Sequence, residues 1–254
     1  MMGNKCKTTT TSSSINDKVK VLTEKINVAE SMVNSNLVLA HSSPIPTCPN
    51  PEYLTASVIR AYESIKKLQL YSSLFRWVPT HYYALKLEQR KALLLGDGVN
   101  QLCKAMLMEN NRYSGIHEKG DSFYPRFILV VVQYIASINP KKLNNYLRGE
   151  YGLEGVSQPP SSSYNYRVAS ETDNMRLTGF EHNAVSPFGL IDETIPIILP
   201  KSITDSRVRF IWLGGGHEHL KVGVAVSELL GKCGVVRVGD VSDVRAPLDG
   251  GDDF

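Results

Sequence analysis

The most apolar stretch of the chain, residues 127–138 (FILVVVQYIASI), limits the folds open to everything around it. It falls far short of the ~20 apolar residues that a helix needs to cross a bilayer. Its β-branched content marks a buried strand instead. Residues 102–108 (LCKAMLM) make a second strand candidate. The polar, glycine-containing stretch 110–122 between the two allows them to pair as a hairpin.

Helical periodicity appears before this pair. Val58, Ala61, Tyr62, Ile65 and Leu68 predict a helix over residues 56–70. A short strand is expected at 74–78, and a second helix over 87–95, ended by Gly96 and Gly98. Pro140 stands where a helix over 140–147 would start. The stretch 158–163 (QPPSSS) reads as a loop, and short strand-like runs follow at 195–199, 208–213 and 220–226. Strands and helices mix without βαβ alternation. That argues against a doubly wound nucleotide fold. It favours an α+β domain whose mixed, mostly antiparallel sheet is surrounded by helices.

The N-terminal part reads differently. Residues 1–14 contain KTTTTSSS and are expected to be a disordered tail. Ile15, Val19, Leu22, Ile26, Ala29 and Val33 form an a/d heptad seam, which predicts an amphipathic helix over 15–40. Residues 41–51 hold four prolines and read as a linker. The helix either packs on its own domain or docks on another protein. A helix held off by a linker is placed for a partner, and the seam would suit a homodimer equally. The globular domain is then expected over 52–245, with an acidic tail at 246–254.

The formal net charge of +3 is mildly basic, so a polyanionic partner is tolerated but not demanded. The four cysteines form no CxxC pair and have no histidine at ligand spacing, which argues against structural zinc. No signal peptide or membrane span is legible, so a cytoplasmic setting is expected.

Three segments could carry chemistry. Gly214-Gly215-Gly216-His217 follows the apolar run RFIWL. Consecutive glycines are expected at a tight turn, or where a backbone approaches a ligand closely. Residues 179–189 contain Gly, Asn, Pro and Gly, which force a shaped loop; Asn183 tolerates the left-handed conformation, and backbone N–H groups there suit an oxyanion. Lys104 shares a strand face with apolar Leu102 and Met106, so its ammonium either snorkels to water or enters a site. No GxSxG, no HExxH and no cysteine in a catalytic context is visible. His182, His217 and His219 lie in loops, where a histidine is more often simply exposed.

Taken together and in order, these segments resemble the YbaK/prolyl-tRNA synthetase-associated domain family. CKAML around Lys104 is similar to its early lysine strand. TGFEHNAVSPFG is similar to its GYxxGGxSPxG loop. LGGGHEHLKVGVAVSEL is similar to its glycine-containing strand end. The resemblance covers roughly residues 74–241 and implies a compact mixed, partly barrel-like sheet wrapped by helices. It also implies hydrolysis of mischarged tRNA in trans, without metal or cofactor, by positioning with help from the substrate's own ribose hydroxyl. Lys104 would contact the 3′-terminal nucleotide or the aminoacyl ester and act in catalysis. Gly179, His182, Asn183, Ala184, Val185, Ser186 and Pro187 would bind substrate, and Gly214, Gly215, Gly216 and His217 would shape the opposite wall. Asn183 and Ala184 stand where the family has paired glycines, and this narrows the pocket toward a small amino acid or alters the activity. The expected partners are tRNA and, through the helix at 15–35, an aminoacyl-tRNA synthetase or scaffold protein. The alternative is a non-catalytic tRNA-binding or scaffold subunit of a multi-synthetase complex.

Overall fold

The computed structural model describes residues 47–114, 124–150, 160–205, 208–234 and 236–245. The expected tail at 1–14, the heptad helix at 15–40, most of the 41–51 linker and the tail at 246–254 lie outside the described residues. In chain order the elements are α1 (Ala56–Lys67), β1 (Leu74–Trp77), α2 (Leu87–Leu94), β2 (Cys103–Asn110), β3 (Phe127–Gln133), β4 (Ala136–Ile138) and α3 (Pro140–Glu150). There follow β5 (Tyr166–Val168), α4 (Glu171–Thr178), β6 (Ile197–Pro200), α5 (Lys201–Thr204), β7 (Phe210–Gly214), β8 (Leu220–Ala225), α6 (Val226–Lys232), β9 (Val236–Gly239) and β10 (Ser242–Val244).

The apolar run does not stay one strand: its first seven residues become β3, the middle of a five-stranded sheet ordered β5-β2-β3-β6-β9, and after a turn at 134–135 its end forms β4 in a separate ribbon. β2 pairs with β3 antiparallel, setting Ala105 opposite Val131 and Leu107 opposite Leu129, as the hairpin reading expected. β6 adds to β3 in parallel, and β9 adds to β6 in parallel. The two-residue side-chain period then divides the core. Leu107, Leu129, Val131, Ile197 and Leu199 enter one apolar cluster. Met108, Ile128, Val130 and Ile198 enter another, against Leu143 and Leu147 of α3. A sheet covered on both faces is why β3 reads as a continuous apolar run rather than an alternating one.

A second sheet, β1-β8-β7, is antiparallel throughout, and β4 pairs with β10 as a separate ribbon. A bridge between Leu102 and Trp212 sets the end of β7 beside the start of β2. Five strand pairings are antiparallel and two parallel, so the mostly antiparallel expectation holds. The barrel-like expectation does not, because among the described residues no sheet closes on itself. The glycine stop expected for α2 also differs. Leu95 itself takes the left-handed conformation with φ 55°, and its N–H bonds the carbonyls of Lys91 and Ala92. α4 was not expected, although Ser170 caps its N-terminus by accepting from the Asp173 N–H and Gly179 ends it at φ 70°.

α1 starts at Thr55, whose hydroxyl accepts from the Val58 N–H, and it buries Val58, Ala61 and Ile65. Its Arg60 is turned to a different use. The guanidinium donates to the carbonyls of Gly189 at 2.6 Å, Gly179 at 2.7 Å and Thr178 at 3.4 Å. It also lies 5.0 Å from the centroid of the Phe180 ring. One side chain thus ties together both ends of the 179–189 loop. Gly179 and Gly189 both have φ above +70° or close to it, at 70° and 75°, and a Cβ on Gly189 would stand 2.6 Å from the Arg60 carbonyl oxygen. Only glycine fits both the backbone conformation and the approach. Replacing Arg60 by Met is expected to remove these charge-assisted bonds and lower stability by about 2 kcal/mol, read as a reduced urea midpoint with an unchanged m-value.

Candidate functional site

Lys104 is half-buried on β2, and the 179–189 loop and the end of β7 close around the same space. The result is a cavity of about 660 Å³, in the range of small-molecule sites. Of the residues expected to form a site, Lys104, His182, Asn183, Val185 and Gly214 line it. Leu102 and Met106, predicted to share the Lys104 face, line it too.

The remaining candidates stand behind the wall. Ala184 is 2% exposed and belongs to the apolar core, so its methyl does not enter the cavity as expected. Ser186 is fully buried, and its hydroxyl accepts from the Phe188 N–H. Pro187 is buried beside it. Gly179 ends α4 at the Arg60 clamp.

The three glycines approach other backbone rather than line the cavity as a set. Gly214 lies so close to the Val185 carbonyl that any side chain would collide with it. Gly215 donates to the Leu220 carbonyl, closing the β7–β8 turn. Gly216, at φ 96°, donates to the Ala184 carbonyl at 3.2 Å. His217 points elsewhere and stacks on Tyr53, with ring centroids 4.6 Å apart.

These contacts shape the loop tip. Asn183 adopts φ 62°, and the Ala184 N–H bonds the Glu181 carbonyl. In a trans peptide the N–H points opposite to the C=O. With the Ala184 carbonyl held by Gly216, the Val185 N–H is directed away from the glycine strand, and it bonds no other group among the described residues. It is an available donor on a residue that lines the cavity. Such a donor suits a developing oxyanion.

The floor of the cavity was not legible beforehand. Tyr82, Tyr83 and Tyr134 line it together with the buried cations Arg90 and Lys221. Arg90 donates to the carbonyls of Leu85 and Tyr83, and its guanidinium lies 5.5–5.7 Å from the three tyrosine ring centroids. The Lys104 amine lies 5.5 Å from the Tyr134 centroid. Lys221, 5% exposed, donates to the Tyr83 hydroxyl at 2.6 Å and to the Glu218 carbonyl at 2.9 Å. Ring faces are the one apolar surface that attracts a cation. One signal for Lys221 did exist. It sits alone in the apolar strand LKVGVA, the same anomaly that singled out Lys104.

Arg90, Lys104 and, when protonated, Lys221 line the cavity against one acid, Glu171, so its field favours an anionic ligand. Burial pushes the Cys103 thiol far above its ordinary range, which removes it as a nucleophile. Burial pulls the Lys221 amine down to about 7, with Arg90 adding to the effect and the Glu218 carboxylate opposing it. Among the described residues no three His, Cys, Asp or Glu side chains gather to hold a metal ion, and no helix is long and apolar enough to cross a membrane.

No protein-family model and no curated protein matches the chain. Solved structures do. A protein with the provisional designation of trans-editing enzyme for prolyl tRNA synthetase superimposes with a TM-score of 0.55 at 16% identity, over 75% of this chain and 99% of its own. A hypothetical protein gives 0.52 at 19% identity, over 72% and 99%. A scaffold protein from computational epitope grafting gives 0.54 at 15% identity, over 75% and 99%. The fold is therefore that of these structures.

The Lys221 amine titrates near 7 in the folded protein and near its ordinary 10.5 when unfolded. Between those values the unfolded chain holds the extra proton, so stability rises as pH increases from 7 toward 10 and is lost on return. Differential scanning across this range is expected to show a gain of about 1 kcal/mol per pH unit that Lys221→Met abolishes.

Proposed function

We propose that this protein is an editing deacylase that hydrolyses the aminoacyl ester of mischarged tRNA in trans. The observation that carries the reading is the meeting of Lys104, Asn183, Val185 and Gly214 around one cationic cavity. The shared fold with the trans-editing protein for prolyl tRNA synthetase adds to it. So does the order of the three sequence segments.

On this reading the 3′ end of the tRNA enters the cavity. Its phosphates are drawn by the excess of Arg and Lys over acid. The Lys104 ammonium contacts the terminal nucleotide or the ester. The Val185 N–H donates to the ester oxygen as negative charge develops on it in the tetrahedral state. Water attacks the carbonyl, the ester C–O bond breaks, and the terminal ribose hydroxyl and a free amino acid result. Orientation of ester and water, assisted by the neighbouring ribose hydroxyl, is the main source of rate, so a Ser-His-Asp constellation is not required. The buried tyrosine and arginine floor excludes bulk water from one side. The loop residues His182 and Asn183 stand exposed at the wall and would meet the amino acid or the ribose.

Residues 15–35 would dock a synthetase or scaffold protein, which makes a non-catalytic tRNA-binding subunit the competing reading. A deacylation screen with tRNAs carrying Ala, Ser, Cys or Pro separates the two. Release of at least one amino acid is expected, and Lys104→Ala is expected to reduce it by roughly a hundredfold or more while near-ultraviolet circular dichroism is retained. Wild-type protein that binds tRNA yet releases nothing from the panel would support the scaffold reading instead. Deleting residues 1–45 is expected to leave deacylation intact and abolish co-purification with the partner.

A further inference from the structure

We propose that Lys221 and Tyr83 are positioning residues that hold the Asn183 peptide at the tip of the cavity loop, in a hydrogen-bonded relay running from amine to hydroxyl to carbonyl. The reaction that the relay serves is the ester hydrolysis proposed above, and its own geometry stands without it.

Lys221 reaches the relay from β8, and Tyr83 reaches it from the short turn Tyr82–Ala84. The Lys221 amine donates to the Tyr83 hydroxyl at 2.6 Å. The Tyr83 hydroxyl donates to the Asn183 carbonyl at 2.8 Å. A hydroxyl has one proton to give and two lone pairs to offer. The Asn183 carbonyl can only accept and an ammonium can only donate, so the single phenolic proton goes to Asn183, while the oxygen's lone pairs are left to Lys221 and to the Tyr134 hydroxyl that also bonds Tyr83. The direction of the relay is thus set at one end by the acceptor-only Asn183 carbonyl and at the other by the donor-only ammonium.

The loop needs this hold. Asn183 keeps a left-handed backbone at φ 62°. Asparagine tolerates that conformation, so the orientation of the peptide rests on the partners of its polar groups. Arg60 secures the ends of the loop and Gly216 secures the Ala184 carbonyl, but both act from the core side. Tyr83 is the contact that holds the tip from the cavity side. The Ala184 peptide follows next in the chain, and with it the outward Val185 N–H.

Loss of the Lys221 proton opens a second arrangement. A neutral amine carries a lone pair, so the phenolic proton can turn to Nζ and release the Asn183 carbonyl. The groups facing Lys221 are Glu218 and His217 from the β7–β8 turn, Arg90 from α2, and the Tyr82 and Tyr83 rings at 5.2 and 4.6 Å, with Tyr134, bonded to Tyr83, and Lys104 lining the same cavity. Burial of the amine among them brings this titration to about 7.

The test uses the full chain and two independent readouts. Backbone amide resonances of Asn183, Ala184 and Val185 are followed from about pH 6 to about pH 9 without substrate. They are expected to move together with a midpoint near 7 in the wild type, and to lose that titration in Tyr83→Phe and Lys221→Met. In the deacylation assay, Tyr83→Phe is expected to lower kcat by roughly ten- to a hundredfold with KM nearly unchanged. The double variant should be no worse than either single one, because both cut the same relay. Lys221→Arg, charged at every pH used, should retain the hold on the loop and remove the pH dependence. A deacylating wild type whose Tyr83→Phe variant keeps full kcat and the same amide titration would overturn the relay and leave the deacylase standing. Coupled amide titrations in a wild type that releases no amino acid would uphold the relay and overturn the deacylase.

Discussion

The Arg60 guanidinium collects three backbone carbonyls from the two ends of one loop, and the cavity wall depends on that collection. A twelve-residue excursion such as 178–189 has no ladder of its own to satisfy its peptide groups. Its carbonyls must be met from elsewhere or stay open to water. A planar, permanently charged donor with five N–H groups meets several at once. Once the ends are tied, the tip has few positions left, and the glycine strand at Gly214–Gly216 receives it at backbone-to-backbone distance.

Support and chemistry are divided between the residue pairs of this region. Ala184, Ser186, Pro187, Gly215 and Gly216 are buried and hold the loop in place. His182, Asn183 and Val185, between and beside them, face the cavity. On the opposite side, Arg90 and Lys221 are buried cations with no carboxylate in hydrogen-bond contact among the described residues, satisfied by carbonyls, a phenol and ring faces. Cations paired with acids would present a neutral wall. Cations held by dipoles and aromatic quadrupoles keep their field available to a ligand.

Legibility followed the range of the interaction that makes each feature. The β3 strand was readable because burial on both faces writes an unbroken apolar run into the sequence. The hairpin with β2 and the helix α1 were readable because their periodicities are local. Lys104 stands out because a lone lysine in an apolar strand is anomalous, and Lys221 carries the same anomaly in β8. Tyr82, Tyr83, Arg90 and Tyr134 carried no such mark. Tyrosines in a polar turn are unremarkable until Lys221, 138 residues away from Tyr83, is packed against them. The unexpected α4 was in principle visible, since Ser170, Asp173 and Gly179 spell an N-cap and a C-terminal glycine around only eight residues.

The sequence by itself determined the period and burial of the central strands, the mixed character of the sheet, and the need for a shaped, glycine-bounded loop. Each of these is a property of neighbours along the chain: side-chain alternation, β-branching, or the φ range a residue tolerates. The tertiary structure alone decided which faces of that loop meet the cavity. It sent Ala184 into the core and brought Asn183 to the wall, because Gly214 and Gly216 approach from one side and Tyr83 from the other. It also made Gly215 and Gly216 a seat for the loop and left Gly214 at the cavity. Those outcomes hang on contacts between segments far apart in the chain, and no local pattern encodes them.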